Sequence, residues 1–335
     1  MSVPRPVQLL LWPLSLIYGG VSRIRVWLYA RGWLKQKRLR GMVISVGNLT
    51  VGGTGKTPMV IWLAEKFLAE GKRVAILSRG YRGANGTSDE IELMRSRLRE
   101  RVVFGVGADR YATGSALEAK GSIDVFLLDD GFQHLPLGRD LDILLMDASR
   151  PLNKELLLPA GRLREPIRAM SRANLLIVTR SEAVPGTTEA IGKLSQYPVF
   201  AAATRLLGFR LLGATGGVQT VDEIGSGPFL AFCGIGNPAA FFADLDAWGV
   251  KVSGTRAFAD HHRYSDGDIA QIENAAERSG ARALVTTEKD AENLAGVRRA
   301  KMPMYTAAID FVISPAEDFD RLLDQAVLGH AGGAE

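Results

Sequence analysis

The sequence predicts an α/β protein, with a doubly wound parallel sheet followed by a second, smaller α/β domain. Short apolar runs recur along the chain, and such runs are typical of strands covered on both faces of a parallel sheet. In the N-terminal part they predict strands over residues 42–46, 74–77, 125–128, 141–146 and 175–178. Segments 58–70 and 108–120 have apolar residues at helical spacing, as the helices that connect parallel strands do.

The pattern changes after residue 205. Residues 206–228 are rich in Gly and Thr and contain two short extended pieces, so we predict a short extended linker there. A second series follows, with predicted strands 229–232, 251–257 and 283–285 and predicted helices 238–248 and 265–278. The sequence therefore predicts an N-terminal segment (1–40), a first domain (41–205), the linker and a second domain (229–335).

The composition is that of a packed globular protein. Of the 335 residues, 47% are hydrophobic and 23% are charged, which is enough apolar material for two cores. Cys233 is the one cysteine in the sequence, so no intrachain disulfide can form, and the four histidines leave little material for a structural zinc site. These features fit a reducing cytoplasm.

The basic charge is concentrated at the N-terminus. The first forty residues carry eight Lys or Arg and no acid, which leaves 33 basic against 36 acidic residues in the rest of the chain. A nucleic-acid-binding protein would show a basic stripe on its folded domain. The charge distribution therefore argues against a nucleic-acid partner.

The same N-terminal segment favours contact with an anionic membrane surface. Its apolar run, 7–21, is interrupted by Pro13 and Gly19 and is shorter than a transmembrane span. Basic residues follow it, and three of the five tryptophans accompany them, as in an interfacial membrane helix (Trp12, Trp27 and Trp33). The alternative is a helix that caps the first domain.

The motif GNLTVGGTGKTP, residues 47–58, predicts a P-loop, because it follows a predicted strand and precedes a predicted helix. Thr50 stands where the general pattern has its first glycine. Backbone N–H groups of such a loop surround phosphate oxygens, Lys56 supplies a positive charge, and the Thr57 hydroxyl can bind Mg²⁺. The predicted nucleotide-binding residues are Thr50, Val51, Gly52, Gly53, Thr54, Gly55, Lys56 and Thr57.

Acids and arginines elsewhere fit the same chemistry. Asp129 and Asp130 follow an apolar strand, where a P-loop protein places the carboxylate that reaches Mg²⁺, and the sequence leaves open which of the two binds it. The chain has no Asn-Lys-x-Asp element for guanine, so ATP is favoured.

Guanidinium groups match phosphate geometry, so Arg110, Arg162 and Arg164 are candidates for substrate phosphate contacts. The alternative is that they merely pair with acids on the surface.

An ordered series of motifs resembles the tetraacyldisaccharide 4′-kinase family. Besides the P-loop, it comprises LSRGYRG (77–83), Asp89-Glu90, DDGFQH (129–134), LPAGRLREP (158–166), GIGNP (234–238) with the following Phe pair, FADHH (258–262) and TTEKDA (286–291). One departure is Ser88-Asp89-Glu90-Ile91, where the family usually has Gly-Asp-Glu-Pro. A P-loop ATPase that acts as a membrane positioning switch is the competing class.

The resemblance implies transfer of the ATP γ-phosphoryl group to the 4′-hydroxyl of a tetraacyldisaccharide 1-phosphate, which gives lipid IVA. The expected cofactors are ATP and Mg²⁺, and the expected location is the cytoplasmic face of the bacterial inner membrane. It also implies two α/β lobes joined by a two-stranded linker and an N-terminal membrane-associating helix. We expect a monomer whose second domain closes over the active site.

The resemblance also implies the catalytic residues. Asp89 is expected to be the general base, with His261 as its partner from the other lobe and Glu90 as a further metal contributor. Asp109 is a rival base by type, but it precedes a predicted helix where an N-cap role suffices, whereas Asp89 is expected in a loop between strands. His261 is favoured over His262 because it follows Asp260 directly.

Overall fold

The computed structural model describes residues 4–80, 88–150, 152, 155–214, 216–225, 227–294, 296–298 and 300–332. Residues 81–83 of the LSRGYRG motif lie outside these ranges. The chain divides into two compact units. Unit 1 comprises residues 1–82, 97–203 and 311–335, and unit 2 comprises 83–96 and 204–310.

Strands and helices alternate along the chain. The strands are β1 (Met42–Asn48), β2 (Val74–Ser78), β3 (Val103–Val106), β4 (Val125–Asp129), β5 (Leu141–Asp147), β6 (Leu175–Thr179), β7 (Val199–Leu211), β8 (Phe229–Cys233), β9 (Val252–Ala257), β10 (Ala283–Thr287) and β11 (Met304–Ser314). The helices are α1 (Arg5–Ala30), α2 (Lys56–Ala69), α3 (Asp89–Leu98), α4 (Arg110–Glu118), α5 (Thr187–Leu194), α6 (Pro238–Ala247), α7 (Asp266–Ser279), α8 (Glu288–Asn293) and α9 (Ala316–Gly332).

The sheet of unit 1 has the order β3-β2-β4-β1-β5-β6-β7, and its neighbouring strands are parallel. β1, β2, β4 and β6 are buried at every residue, which explains why they are apolar and why the sequence predicts them. The change in strand order on either side of β1 is where an α/β sheet places its ligand site. The doubly wound sheet is therefore confirmed.

The helices of unit 1 bury one face each. α2 buries Met59, Leu63 and Phe67, and its apolar spacing predicts this face. α4 begins after Asp109, whose side chain accepts a hydrogen bond from the Ala112 N–H at 3.0 Å, so the N-cap interpretation is confirmed.

The C-terminal helix α9 belongs to unit 1, although the sequence suggests that it continues the second domain. Phe319 is fully buried and its ring lies 5.6 Å from that of Trp62 on α2. Asp320 lies 3.1 Å from Lys66 on the same helix. Aromatic burial of this kind dominates core energetics, so it accounts for the return of the chain to unit 1.

Unit 2 has four strands in the order β11-β10-β8-β9, all parallel. Its apolar residues form two clusters, one with Phe229 and Phe241 and the other with Phe232 and Ile272. α7 starts at a capping box formed by Ser265 and Asp268 and ends at Gly280, which has the left-handed backbone typical of a C-terminal cap.

Two features of the division into units could not be predicted from the spacing of apolar residues in the sequence. β7 and β11 each continue from one unit into the other. Residues 83–96 cluster with unit 2, although unit 1 residues flank them on both sides. Asp89 is the first residue of α3, which corrects the expectation that it lies in a loop.

α1 is a continuous helix of 26 residues that includes Pro13. It is long and apolar enough to cross a membrane by length and composition alone, whereas the run considered in the sequence ends at Val21. Ser15 and Gly19 are its buried residues, and large side chains such as Leu9, Leu10 and Ile17 are exposed.

Candidate active site

The predicted P-loop lies between β1 and α2, at the carboxyl end of a central strand. Gly52 and Gly55 have φ angles of 112° and 85°, a left-handed backbone that glycine adopts readily. In this fully described segment, no side-chain hydrogen bond caps the start of α2. The first N–H groups of the helix are therefore available to an anion, and the helix dipole favours negative charge there.

The glycines of the loop differ in their surroundings. A Cβ added at Gly53 would meet no protein atom within 4 Å, whereas one at Gly55 would lie 2.9 Å from the Phe311 ring. Thr54 is held through its carbonyl, which accepts a hydrogen bond from the Thr179 hydroxyl at 3.2 Å. Thr57 is the second residue of α2, so its hydroxyl belongs to the helix start where a P-loop protein binds Mg²⁺.

Lys56 and Arg164 converge on Asp130. The Lys56 ammonium lies 3.7 Å from an Asp130 oxygen, and the Arg164 guanidinium donates to both Asp130 oxygens at 2.6 and 2.9 Å. Burial opposes ionisation of Asp130, but Lys56 and Arg164 outweigh it and hold its pKa at about 2. Asp130 is therefore a carboxylate at neutral pH.

Arg164 also binds the loop itself. Its guanidinium donates to the Asn48 side-chain oxygen at 2.5 Å and to the Thr50 carbonyl at 3.1 Å. The segment that carries it pairs with the loop through two backbone hydrogen bonds, from Val51 N–H to the Arg162 carbonyl at 2.9 Å and from Arg164 N–H to the Leu49 carbonyl at 2.7 Å. The structure thus brings the LPAGRLREP motif against the P-loop.

Asp129 and Arg110 form a second pair in unit 1. Arg110 is buried, and its guanidinium donates to the Asp129 carbonyl at 2.8 Å. Burial lowers the Arg110 pKa from its ordinary value, and the two aspartates oppose this. The Ser78 hydroxyl donates to an Asp129 side-chain oxygen at 3.3 Å. Arg162 is engaged by Glu155, to which its Nε donates at 3.0 Å.

A pocket adjoins the outer side of the loop, with about 310 Å³ of empty volume that includes open solvent. Its lining includes Gly52, Gly53, Asp147, Arg150 and Arg162. Neither Asp147 nor Arg150 is among the predicted site residues. The sequence could have identified Asp147 as a site residue, because it ends an apolar strand in the same way as Asp129 does.

Asp89 and His261 meet within unit 2, so their contact needs no movement of one unit against the other. His261 Nδ1 lies 2.9 Å from Asp89 Oδ2, and the Asn293 amide donates to the same oxygen at 2.9 Å. His261 has a φ of 60°, a sparsely populated conformation for histidine that is often found at functional sites.

The hydrogen bond to His261 lowers the Asp89 pKa to about 2, although burial opposes it. The same bond raises the His261 pKa above its ordinary value, against burial. Each partner therefore favours the charged form of the other.

Lys289 lies beside His261 and close to two further acids, Asp260 and Glu90. Its ammonium is 3.3 Å from Asp260, 3.4 Å from His261 Nε2 and 3.7 Å from Glu90.

The predicted metal-binding residues are divided between the units. Glu90 is in unit 2 beside Lys289, whereas Thr57, Asp129 and Asp130 are in unit 1. In the described parts of the chain, no three His, Cys, Asp or Glu side chains are grouped to hold a metal ion. Mg²⁺ fits the unit 1 residues all the same, because it takes few protein carboxylates and uses phosphate oxygens and water.

The sequence does not single out Lys289 and Asn293 as site residues. They are four residues apart on α8 and share one helix face. Asp290, between them, is fully buried and accepts hydrogen bonds from Gly234 N–H at 2.8 Å and the Tyr264 hydroxyl at 2.8 Å. The TTEKDA motif contains Lys289, but no local pattern indicates that Asn293 reaches Asp89.

A phosphate-binding loop on a doubly wound sheet, with a lysine, a carboxylate pair and arginines around it, defines a P-loop nucleotide-dependent enzyme. A family model described as tetraacyldisaccharide-1-P 4′-kinase, LpxK, matches residues 7–328. The chain belongs to the tetraacyldisaccharide 4′-kinase family, and the sequence-based assignment is confirmed.

Individual relatives agree over nearly their whole length. The tetraacyldisaccharide 4′-kinase of Geobacter metallireducens is 38% identical over 340 residues, which cover 96% of this chain and 99% of the relative. That of Pelobacter propionicus is 41% identical over 89% of this chain and 86% of the relative. A crystal structure of LpxK from Aquifex aeolicus in complex with ATP has a TM-score of 0.77 and 32% identity, covering 96% of this chain and 99% of that one.

The Asp89–His261 pair predicts a pH-dependent contribution to stability. The folded pKa of Asp89 is below its ordinary value of 3.8, so its contribution is present above that pH and is lost as the pH falls towards about 2. The folded pKa of His261 is above 6.5, so its contribution is full below that pH and is lost as the pH rises through the raised value.

We therefore expect His261→Ala to lower the denaturation midpoint more at about pH 5 than at about pH 9. Denaturant unfolding of the wild type, His261→Ala and Asp89→Asn across this range checks the expectation. The Asp89→Asn variant keeps the shape of the side chain but removes its charge. Its denaturation midpoint should therefore lose the pH dependence that the Asp89–His261 pair gives the wild type. An equal effect of His261→Ala at both ends of the range would show that the two groups are not coupled.

Proposed function

We propose that this chain transfers the γ-phosphoryl group of ATP to the 4′-hydroxyl of a tetraacyldisaccharide 1-phosphate, giving lipid IVA. The observation that carries the proposal is the P-loop of unit 1, with Lys56 and Arg164 around Asp130, in a chain that matches a 4′-kinase family over residues 7–328. In this reaction the 4′ oxygen forms a bond to the γ phosphorus, the bond from that phosphorus to the β–γ bridging oxygen breaks, and ADP leaves.

The loop 50–57 would hold the triphosphate. Backbone N–H groups at the start of α2 face the phosphates, and Lys56 exchanges its contact with Asp130 for the β- and γ-phosphates. Mg²⁺ would bind the Thr57 hydroxyl and Asp129 or Asp130, directly or through water, and it neutralises charge on the transferring group. Glu90 remains a candidate contributor to metal binding.

Asp89 would take the proton of the acceptor hydroxyl, with His261 as its partner. Both of the hydrogen bonds described above end on Oδ2, so we assign Oδ1 to the acceptor. A carboxylate with a low pKa is a weak base, but it suffices where the transition state is loose and positioning contributes most of the rate. Asn293 and His261 fix the orientation that this role requires.

The positions of the three arginines support a phosphate contact to different degrees. Arg164 is best supported, because it lies between the loop and Asp130. Arg162 lines the pocket beside the loop. Arg110 is buried behind Asp129, so a contact with substrate would require it to leave the Asp129 carbonyl.

The substrate is a lipid, and α1 would bring the enzyme to the cytoplasmic face of the inner membrane as a monomer. Its exposed leucines and isoleucines would enter the headgroup region, and the exposed basic residues Arg5, Arg23, Arg31 and Lys35 would face anionic lipid. The competing class, a positioning ATPase, is not favoured, because the relatives are kinases. The two classes differ in whether ATP turnover needs the lipid acceptor.

The transfer is tested with labelled ATP and the disaccharide lipid. We expect label in the lipid with the wild type and a loss of at least about a hundredfold with Lys56→Ala, which removes the charge facing the phosphates. Circular dichroism controls for folding, and Lys72→Ala, on the turn after α2, is the matched surface control. Label released only as free phosphate would contradict the kinase proposal.

The catalytic pair is tested by a double-mutant cycle. Asp89→Ala and His261→Ala should each lower kcat by about a hundredfold or more with little change in the Kd for ATP. The double variant should be little worse than the poorer single one, because the two residues act as a unit. Fully multiplicative losses would show that they act separately.

Membrane attachment is tested by charge placed on the exposed face of α1. We expect Leu10→Glu with Ile17→Glu to reduce co-sedimentation with anionic vesicles, whereas Leu328→Glu, equally exposed on α9, should not. Added salt should weaken wild-type binding, since each basic residue near the surface contributes about 1 kcal/mol. Unchanged co-sedimentation of the α1 variant would place the attachment elsewhere.

A further inference from the structure

The buried face of α1 is narrow and contacts one particular segment. Ser15 and Gly19 are one helical turn apart, and both lie against the turn 157–160 of unit 1. The Ser15 hydroxyl donates to the Leu157 carbonyl at 3.0 Å and accepts from the Ala160 N–H at 3.0 Å. A Cβ added at Gly19 would lie 2.7 Å from a methyl carbon of Leu157, so any larger residue there requires the Leu157 side chain or the helix to shift.

The turn that α1 contacts continues directly into the P-loop. Within the turn, Gly161 N–H donates to the Leu157 carbonyl at 2.9 Å, and Leu158 N–H donates to the Leu163 carbonyl at 2.8 Å. Beyond it come the two backbone hydrogen bonds described above, which pair the Arg162–Arg164 stretch with Leu49 and Val51. A short series of hydrogen bonds therefore joins the middle of α1 to the nucleotide-binding loop.

A second series of contacts between α1 and unit 1 also leads to the P-loop. Further along α1, the Arg25 guanidinium donates to the Gln133 carbonyl at 3.3 Å, and the Gln133 amide donates to the Asn48 carbonyl at 3.0 Å. Asn48 is also a partner of Arg164 and Lys56.

We propose that α1, besides meeting the membrane, is a positioning element of the nucleotide site, in which Ser15 and Gly19 hold the 157–164 segment so that Arg164 and the P-loop keep their geometry. The proposal rests on the proposed function for its account of the exposed face of α1. A helix that served only as an anchor would require apolar and basic residues on its outer face, but no serine hydroxyl bonded to the turn.

Adjacent glycines on α1 provide a matched test. Gly19 abuts Leu157, whereas a Cβ at Gly20 would meet no protein atom within 4 Å. Gly19→Leu and Gly20→Leu add the same apolar side chain and the same gain in helix propensity. Only Gly19→Leu should push α1 away from the turn, so Gly20→Leu controls for the added side chain and the change in helix propensity.

The measured quantity is the Kd for ATP in the absence of lipid. We expect Gly19→Leu to raise it about fivefold and Gly20→Leu to leave it unchanged, as for a substitution along a chain of contacts to the site. Ser15→Ala should raise it about threefold through loss of the hydrogen bonds, and Ser15→Thr, which keeps the hydroxyl, should restore it.

The possible results distinguish a positioning role of α1 from an anchoring role, from a general loss of stability and from a failure of the proposed function. If Gly19→Leu and Ser15→Ala change only vesicle binding and the KM for lipid, α1 is an anchor alone and the inference is overturned. A general loss of stability would reduce the active fraction without changing the Kd for ATP. A wild type that binds ATP but does not phosphorylate the lipid would refute the proposed function and leave the ATP comparison valid.

Discussion

The Arg164 guanidinium is the contact on which the geometry of the nucleotide site depends. It joins its own segment to two others that are distant in sequence, the stretch from Asn48 to Thr50 where β1 leads into the P-loop and Asp130 directly after β4. A planar group with several donors can satisfy an amide oxygen, a carbonyl and a carboxylate at once, which a lysine could not. Because Lys56 and Arg164 together hold the pKa of the partly buried Asp130 low, this carboxylate can stay ionised where Mg²⁺ would be needed.

Unit 2 orients the Asp89–His261 pair by a comparable arrangement with different residues. Asp290 has no access to solvent, and its hydrogen bonds to Gly234 and Tyr264 fix the start of α8. The exposed face of that helix then presents Lys289 and Asn293 to His261 and Asp89. Buried polar networks of this kind contribute more than the sum of their pairs, because each member restricts the others. A buried carboxylate therefore positions an accessible one.

The sequence predicted what short-range patterns encode. Strands buried on both faces are apolar throughout, and the P-loop is a contiguous motif between a strand and a helix, so both were found with nearly correct limits. Contacts between distant residues were not found by pattern alone: Asp89 and His261 are 172 residues apart, and Asn293 reaches Asp89 from 204 residues away. Asp89 is polar in a segment with little apolar periodicity, so the start of α3 gave no signal. The return of α9 to unit 1 depends on one buried phenylalanine, which a local pattern cannot assign to a partner.

Under the proposed function, α1 meets two requirements with one helix. A membrane surface selects large apolar and basic side chains, and these occupy nearly all of the helix circumference. A close contact with the turn at Leu157 and Ala160 requires small residues, and it is confined to one turn of the helix, where Ser15 and Gly19 stand. The positions of Ser15 and Gly19 along α1 are thus explained by the contact with unit 1 rather than by the membrane.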